Sequence, residues 1–236
     1  MRIVIIGASG GIGSAFVAAY AEAGHTVHAL SRVPAKVSDS NVIPGVIDLT
    51  DEDSIAAAAG AVAEHGAPDL VIVASGILSN EAGLQPEKSM RQQNASAFET
   101  VFAINTIGPA LAAKHFIPIM PRKQRSVFAA LSARVGSISD NRLGGWHAYR
   151  ASKAALNMLI QNYAIEQGHR NKDFIAIGLH PGTVDTGLSK PFQGNVPEDR
   201  LFSPQRSARS LIAVIEALQP GDSGKVFDWA GEEVPA

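Results

Sequence analysis

The junction between Ile3-Val4-Ile5-Ile6 and Gly7-Ala8-Ser9-Gly10-Gly11-Ile12-Gly13 restricts the fold of this chain more than any other stretch. A run of β-branched residues without polar alternation predicts a short strand covered on both faces, as in a parallel sheet. Glycines at this density predict a tight turn, and residues 14–23 read as a helix stopped by Gly24. Strand, turn and helix in that order bring backbone N–H groups and a helix N-terminus to one point, a place for a pyrophosphate. Gly7, Ser9, Gly10, Gly11, Ile12 and Gly13 are the candidates for that contact. A parallel partner strand requires a crossover, usually helical, so the rest of the chain should alternate strand and helix.

The alternation is present. Residues 26–30, 42–47, 69–74, 126–131, 174–179 and 225–229 read as strands, the second of these interrupted by Pro44-Gly45. Residues 51–64, 94–117, 149–167 and 203–218 read as helices, with Thr50 as the cap of the first and Pro109 expected to kink the second. The fold class is therefore α/β, a three-layer doubly wound (Rossmann) parallel sheet of about seven strands with helices on both faces. Length alone fits one large domain or two small ones. With no linker, repeat or change of composition, one domain over residues 1–236 is expected, with a glycine- and proline-rich lid at about 187–202.

A net charge of −2 without a dense basic block argues against nucleic acid or an anionic membrane as the main partner, and favours a small molecule. The absence of cysteine removes disulfides and thiolate metal sites, and no metal is expected; the composition fits the cytoplasm. No apolar run approaches the ~18 residues of a membrane span. The first residues mimic a signal peptide, but the glycines of residues 7–13 would break its apolar helix, so a cytoplasmic location is expected.

Tyr149 and Lys153 stand four residues apart in Tyr149-Arg150-Ala151-Ser152-Lys153, at the start of an apolar helical run. That spacing puts both on one helix face. An ammonium beside a phenol favours the phenolate, which predicts a Tyr149 pKa below its usual ~10 and a side chain able to exchange a proton. At the end of the second strand stand Ser31 and Arg32, with no Asp or Glu at residues 29–36. In dinucleotide sites an acidic residue there binds the ribose hydroxyl of NAD, whereas an Arg accommodates the 2′-phosphate of NADP. NADP(H) is thus expected ahead of NAD(H); a solvated loop arginine is the competing reading.

With Gly7, Gly11 and Gly13 spaced G-x-x-x-G-x-G and Tyr149-x-x-x-Lys153 downstream, the chain resembles the short-chain dehydrogenase/reductase family, with Ile6 in place of the usual Thr. The resemblance implies hydride transfer between a nicotinamide cofactor and a carbonyl or alcohol, with Tyr149 as general acid/base and Lys153 on the nicotinamide ribose. It implies that Asp48, followed by Leu49, meets the adenine, that Gly76 and Ile77 line the nicotinamide ribose with Ser75 also at the cofactor, and that Asn105 holds a relay water. It implies that Pro181-Gly182-Thr183-Val184-Asp185-Thr186 meets the carboxamide through Pro181, Gly182, Val184 and Thr186. The family's catalytic serine, three residues before a glycine, falls on Ala133, leaving Ser132 or Ser137 to present the hydroxyl, Ser132 first. The family's Asn-Asn-Ala-Gly is also replaced, with Val73 and Ala74 at the Asn positions, and Ser9-Gly10 lack the basic residue frequent in the glycine loop.

Residues 134–140 with Gly144-Gly145-Trp146 are similar to a carbonyl-reductase-like branch that includes C-factor-type signalling proteins. The loop before Tyr149, bearing Trp146, reads as substrate wall, and relatives imply a homodimer or homotetramer through helices 94–117 and 149–167. Two other readings stand: an NADP-binding sensor or signalling protein without turnover, and a lyase or epimerase using the same Tyr and Lys.

Overall fold

The computed structural model describes residues 1–34, 38–194 and 196–236. The strands are β1 (Arg2–Ile6), β2 (Thr26–Ser31), β3 (Val42–Val46), β4 (Leu70–Val73), β5 (Ser126–Leu131), β6 (Phe174–His180), β7 (Thr183–Val184), β8 (Leu201–Phe202) and β9 (Val226–Asp228). Seven of them form one parallel sheet in the order β3-β2-β1-β4-β5-β6-β9, and β7 pairs with β8 apart from it. The order reverses between β1 and β4, the crevice where doubly wound sheets bind ligands.

Alternate residues of the central strands feed two cores, one on each face of the sheet. Ile3 and Ile5 of β1 face Phe16 and Tyr20 of α1 (Gly11–Glu22) and Leu211 of α6 (Pro204–Ala217). Val4 and Ile6 face the opposite layer, built from α2 (Glu52–Glu64), α4 (Gly108–Phe116) and α5 (His147–Gly168). Burial on both faces is why these strands are unbroken apolar runs. Pro44 is tolerated inside β3 because β3 is an edge strand with pairing on one side only.

Three local features differ from the sequence reading. Helix α1 begins at Gly11 instead of Ser14, so the glycine turn is itself the first turn of the helix. Helix α2 is capped by Asp51, whose carboxylate accepts the N–H groups of Asp53 and Ser54, while Thr50 gives its N–H and hydroxyl to Asp48. Asp48 offers Thr50 a two-point acceptor closer in sequence than the helix N–H groups, and the cap moves on by one residue.

The helix read at 94–117 is divided: α3 (Ala95–Phe102), a π turn at Ala103–Ile107, and α4. Pro109 has no N–H for the carbonyl four residues earlier, and the chain absorbs the mismatch as one wide turn, with Gly108 N–H reaching Ala103 O. Within the 187–202 segment, Leu201–Phe202 is anchored by pairing with β7, and Lys190–Phe192 forms a short 3₁₀ turn. Asn195 of that segment lies outside the described residues.

Candidate active site

The glycine turn is built by contacts that exclude any side chain. A Cβ on Gly13 would stand 2.1 Å from Gly7 O, and Gly7 itself has φ +90° with the Ser75 hydroxyl packed against it. Gly10 takes the N-cap position of α1 without a side-chain hydrogen bond. The helix N-terminus is therefore open to an anion through its backbone, the arrangement that suits a pyrophosphate. Thr186 packs over Gly11 from the segment after β6, where a Cβ would meet its methyl at 2.6 Å.

Beyond this turn the carboxyl ends of β4, β5 and β6 open on a cavity of about 530 Å³. Gly10, Gly11, Ile12, Ser75, Gly76, Ser132, Tyr149, Lys153, Pro181, Gly182, Val184 and Thr186 all line it. The structure thus brings together residues read separately along 180 positions of sequence. Ser9 stands exposed in the turn, and Gly13 is buried beneath it. Farther out, at the end of β2, the Ser31 hydroxyl is buried and donates to Val33 O at 2.8 Å, while Arg32 is exposed. Asp48 stands near Arg32; the Thr50 hydrogen bonds, with that cation, hold its carboxyl below the usual carboxylate range. Leu49 is buried against Gly108 and belongs to the core.

Tyr149 and Lys153 project from the first turns of α5 and are almost fully buried. The Lys153 ammonium lies 5.8 Å from the Tyr149 ring centroid and donates to Leu131 O at 2.8 Å. The lowered phenol pKa expected from the spacing is absent in this state: burial pushes Tyr149 up to about 12 and Lys153 down to about 8. The cause is desolvation, which disfavours both charged forms and here outweighs their mutual attraction.

Asn105, 0% exposed in the π turn, accepts the Ile77 N–H at 2.8 Å and donates to Ile77 O at 2.8 Å and to the Ser152 hydroxyl at 3.2 Å. It clamps the loop leaving β4 onto α5. A Cβ on Gly76 would lie 3.5 Å from its Oδ1 and 3.8 Å from Lys153 Nζ, so the clamp sits directly behind the Lys.

Of the two candidate serines, Ser132 is at the cavity and Ser137 is not. The Ser137 hydroxyl accepts the Asp140 N–H at 3.0 Å and turns to Ala236 O. Ser132 donates to Asn157 Oδ1 at 2.6 Å, and Ala133 packs against Leu78 and Tyr149. The residue touching the phenol thus carries a methyl group, and the neighbouring hydroxyl is held by α5 two turns past Tyr149.

Several residues were missed. Asn157 was available from periodicity, being four residues beyond Lys153 on the same helix face. His180, directly before Pro181, lines the cavity with its Nδ1 buried and unpartnered, and burial pushes its pKa down to about 4. Glu87 carried no local signal, since it lies in an irregular loop. Its carboxylate nonetheless accepts Ala148 N–H at 3.2 Å and so caps α5 from outside, where the N-cap position is held by Trp146 without a side-chain bond.

A doubly wound sheet with an open glycine turn at β1 is the class of fold that binds dinucleotides, and a buried Tyr–Lys pair stands beside that turn. The chain belongs to the short-chain dehydrogenase/reductase family: residues 1–196 match the family described as short chain dehydrogenase. It is 35% identical over 134 residues to C-signal of Myxococcus xanthus, covering 57% of this chain and 75% of that one. It is 34% identical over 187 residues to 1-hydroxy-2-glutathionyl-2-methyl-3-butene dehydrogenase of Rhodococcus, covering 78% and 75%. In structure it is similar to the NADPH-bound carbonyl reductase from chicken fatty liver, at TM-score 0.85 and 25% identity, covering 100% of this chain and 98% of that one. No helix among the described residues is long and apolar enough to cross a membrane.

Proposed function

We propose that this chain is an NADP(H)-preferring carbonyl reductase in which Tyr149 is the general acid/base. The observation that carries the reading is one cavity joining the open N-terminus of α1 to the buried Tyr149–Lys153 pair. The cradle fits a dinucleotide, because Gly10 and Gly11 line the cavity at the uncapped N-terminus of α1 and put no side chain between its backbone and a phosphate. Gly7 and Ser9 to Gly13 would hold the phosphates, Ser31 and Arg32 the 2′-phosphate, Asp48 and Leu49 the adenine side. Ser75, Gly76, Lys153 and the Pro181 to Thr186 segment would hold the nicotinamide end.

When bound, the cofactor supplies or takes the hydride at the carbonyl carbon. Tyr149 gives the carbonyl oxygen its proton in reduction and takes it back in oxidation. A phenol kept neutral by burial is the correct form for the reductive direction. Lys153, freed from Leu131 O when the ribose offers it hydroxyls, brings its charge to the phenol as the proton leaves. Ser132 would stabilise the developing oxyanion once its hydroxyl turns from Asn157, and Asn105 holds the loop that shapes the relay behind Lys153. In this reading the chain is a single domain, Leu188, Phe192 and Val196 of the segment after β7 close the mouth of the cavity, and the protein acts as a homodimer or homotetramer in the cytoplasm.

A second reading, a cofactor-binding sensor without turnover, is favoured by Ala133 against Tyr149 and by the Asn157 hold on Ser132. NADPH oxidation across a panel of aldehydes and diketones, with cofactor fluorescence alongside, separates the two. Turnover supports the reductase; binding with no turnover of any carbonyl supports the sensor. Arg32→Ala should raise the KM for NADPH about tenfold or more and leave that for NADH nearly unchanged, as expected for loss of one charge-assisted contact. Equal effects on both cofactors would remove Arg32 from the phosphate site.

A further inference from the structure

A second cavity, of about 870 Å³, adjoins the first and differs from it in chemistry. Its walls come from the loop before α3, from the start of α3 and from Pro191–Phe192, and they present Gln85, Gln92, Asn94 and Thr100. The inner cavity, in contrast, is apolar around the phenol, where Leu78, Ala133, Val135 and Leu188 pack against or beside Tyr149.

Trp146 and Phe192 line both cavities. Their rings are 5.3 Å apart, and the Trp146 ring stands edge-on to Tyr149 at 6.2 Å. They form a waist between an apolar chamber holding the proton donor and a polar chamber outside it. The waist is built deliberately into the backbone: Gly144, Gly145 and Trp146 all have positive φ, and Trp146, at +50°, is the one non-glycine residue of that kind among the described residues. A bulky residue in the left-handed region is unfavourable and persists only where its surroundings fix it. Here Trp146 N–H donates to Glu87 O at 2.5 Å, from the outer chamber's own wall, and Arg150 Nε donates to Gly144 O and Gly145 O.

We infer that the substrate is an elongated carbonyl compound: an apolar segment next to the carbonyl occupies the inner chamber, and an amide-bearing tail runs beside the packed Trp146–Phe192 pair, which lines both cavities, into the outer one. This rests on the carbonyl-reductase reading above. Gln85 on the outer wall can both donate to and accept from such a tail, and Gln92, whose Oε1 already accepts the Lys88 N–H, can donate to it, partners that an alkyl tail would leave unused. Because the tail contacts lie far from the bond being made, they act alike on the bound substrate and the transition state, so they lower KM more than they raise kcat.

The test compares three ketones with NADPH: an aryl methyl ketone, the same ketone with a tail ending in a secondary amide, and the same ketone with an alkyl tail of equal length. The amide-tailed ketone should have a kcat/KM about tenfold above both others, carried by KM, the worth of one or two net hydrogen bonds. Ser96→Trp, at the exposed first turn of α3 beside the outer chamber, should bring that ratio to within about twofold. Equal kcat/KM for the three ketones, or a ratio untouched by Ser96→Trp, overturns this inference alone. No turnover of any of them overturns the carbonyl-reductase reading and this inference with it.

Discussion

Lys153 has the most to disclose about the site, because its charge is held where water is absent. Burial pushes its pKa from 10.5 down to about 8, so the folded chain sheds this proton at a pH where the unfolded chain keeps it. Between about pH 8 and 10 the unfolded state binds more protons, and stability rises with pH through that window. Tyr149, pushed up by burial, acts oppositely, but only once the pH passes its unfolded value of 10. Urea unfolding at pH 7.5 and 9.5 should show this rise, about 2 kcal/mol at the 1.4 kcal/mol per pKa unit of linkage. In Lys153→Met the rise should vanish; its persistence would place the titrating group elsewhere. This behaviour was not legible from the Tyr-x-x-x-Lys spacing, which shows proximity but not desolvation. What the spacing did show, that both side chains reach one place, agrees with the cavity they share.

Among the elements, strands were the most legible and helix ends the least. Residues 126–131 were read to the residue because a two-sided burial pattern has no polar ambiguity, whereas the start of α1 was hidden inside the glycines that form it. Pro109 announced a disturbance near Asn105 but not its form, a π turn that delivers the Asn side chain to Ile77. The Glu87 cap on α5 joins residues 61 positions apart, and no local pattern encodes such a contact. Asn105 is the joint between α3, α5 and the loop after β4. Asn105→Ala should cost about 1–3 kcal/mol in chemical denaturation, since the Ile77 N–H and C=O lose their partner together. An unchanged midpoint would show the loop to be held by other contacts.

For the molecule as a whole, the outward face of α5 is as informative as its inward one. Met158 and Ile165, seven residues apart on one stripe, are 62% and 55% exposed, and Ile107 at the π turn is 51% exposed. Scattered exposed apolar residues are ordinary, but a stripe two turns long on α5 is the kind of surface an oligomer covers. The homodimer or homotetramer proposed here predicts that Met158→Glu with Ile165→Glu shifts sedimentation to a single-chain mass. The same mass for variant and wild type would remove this face from the interface. The architecture, with the sheet order reversing beside the glycine turn, was legible from the strand–turn–helix rhythm. The partition of the site into two chambers was not, because Trp146 and Phe192 meet only through the folding of two loops.

The proposed reaction depends above all on the proton carried by Tyr149. Purified wild-type protein and Tyr149→Phe should be compared for NADPH oxidation with a reactive diketone, with NADPH binding measured in parallel by fluorescence. NADPH should be bound equally by both proteins, and turnover in the variant should fall by about 10²-fold to 10⁴-fold, the range for removing a general acid. Turnover retained at the wild-type rate, with the cofactor still bound, would contradict the proposed reaction.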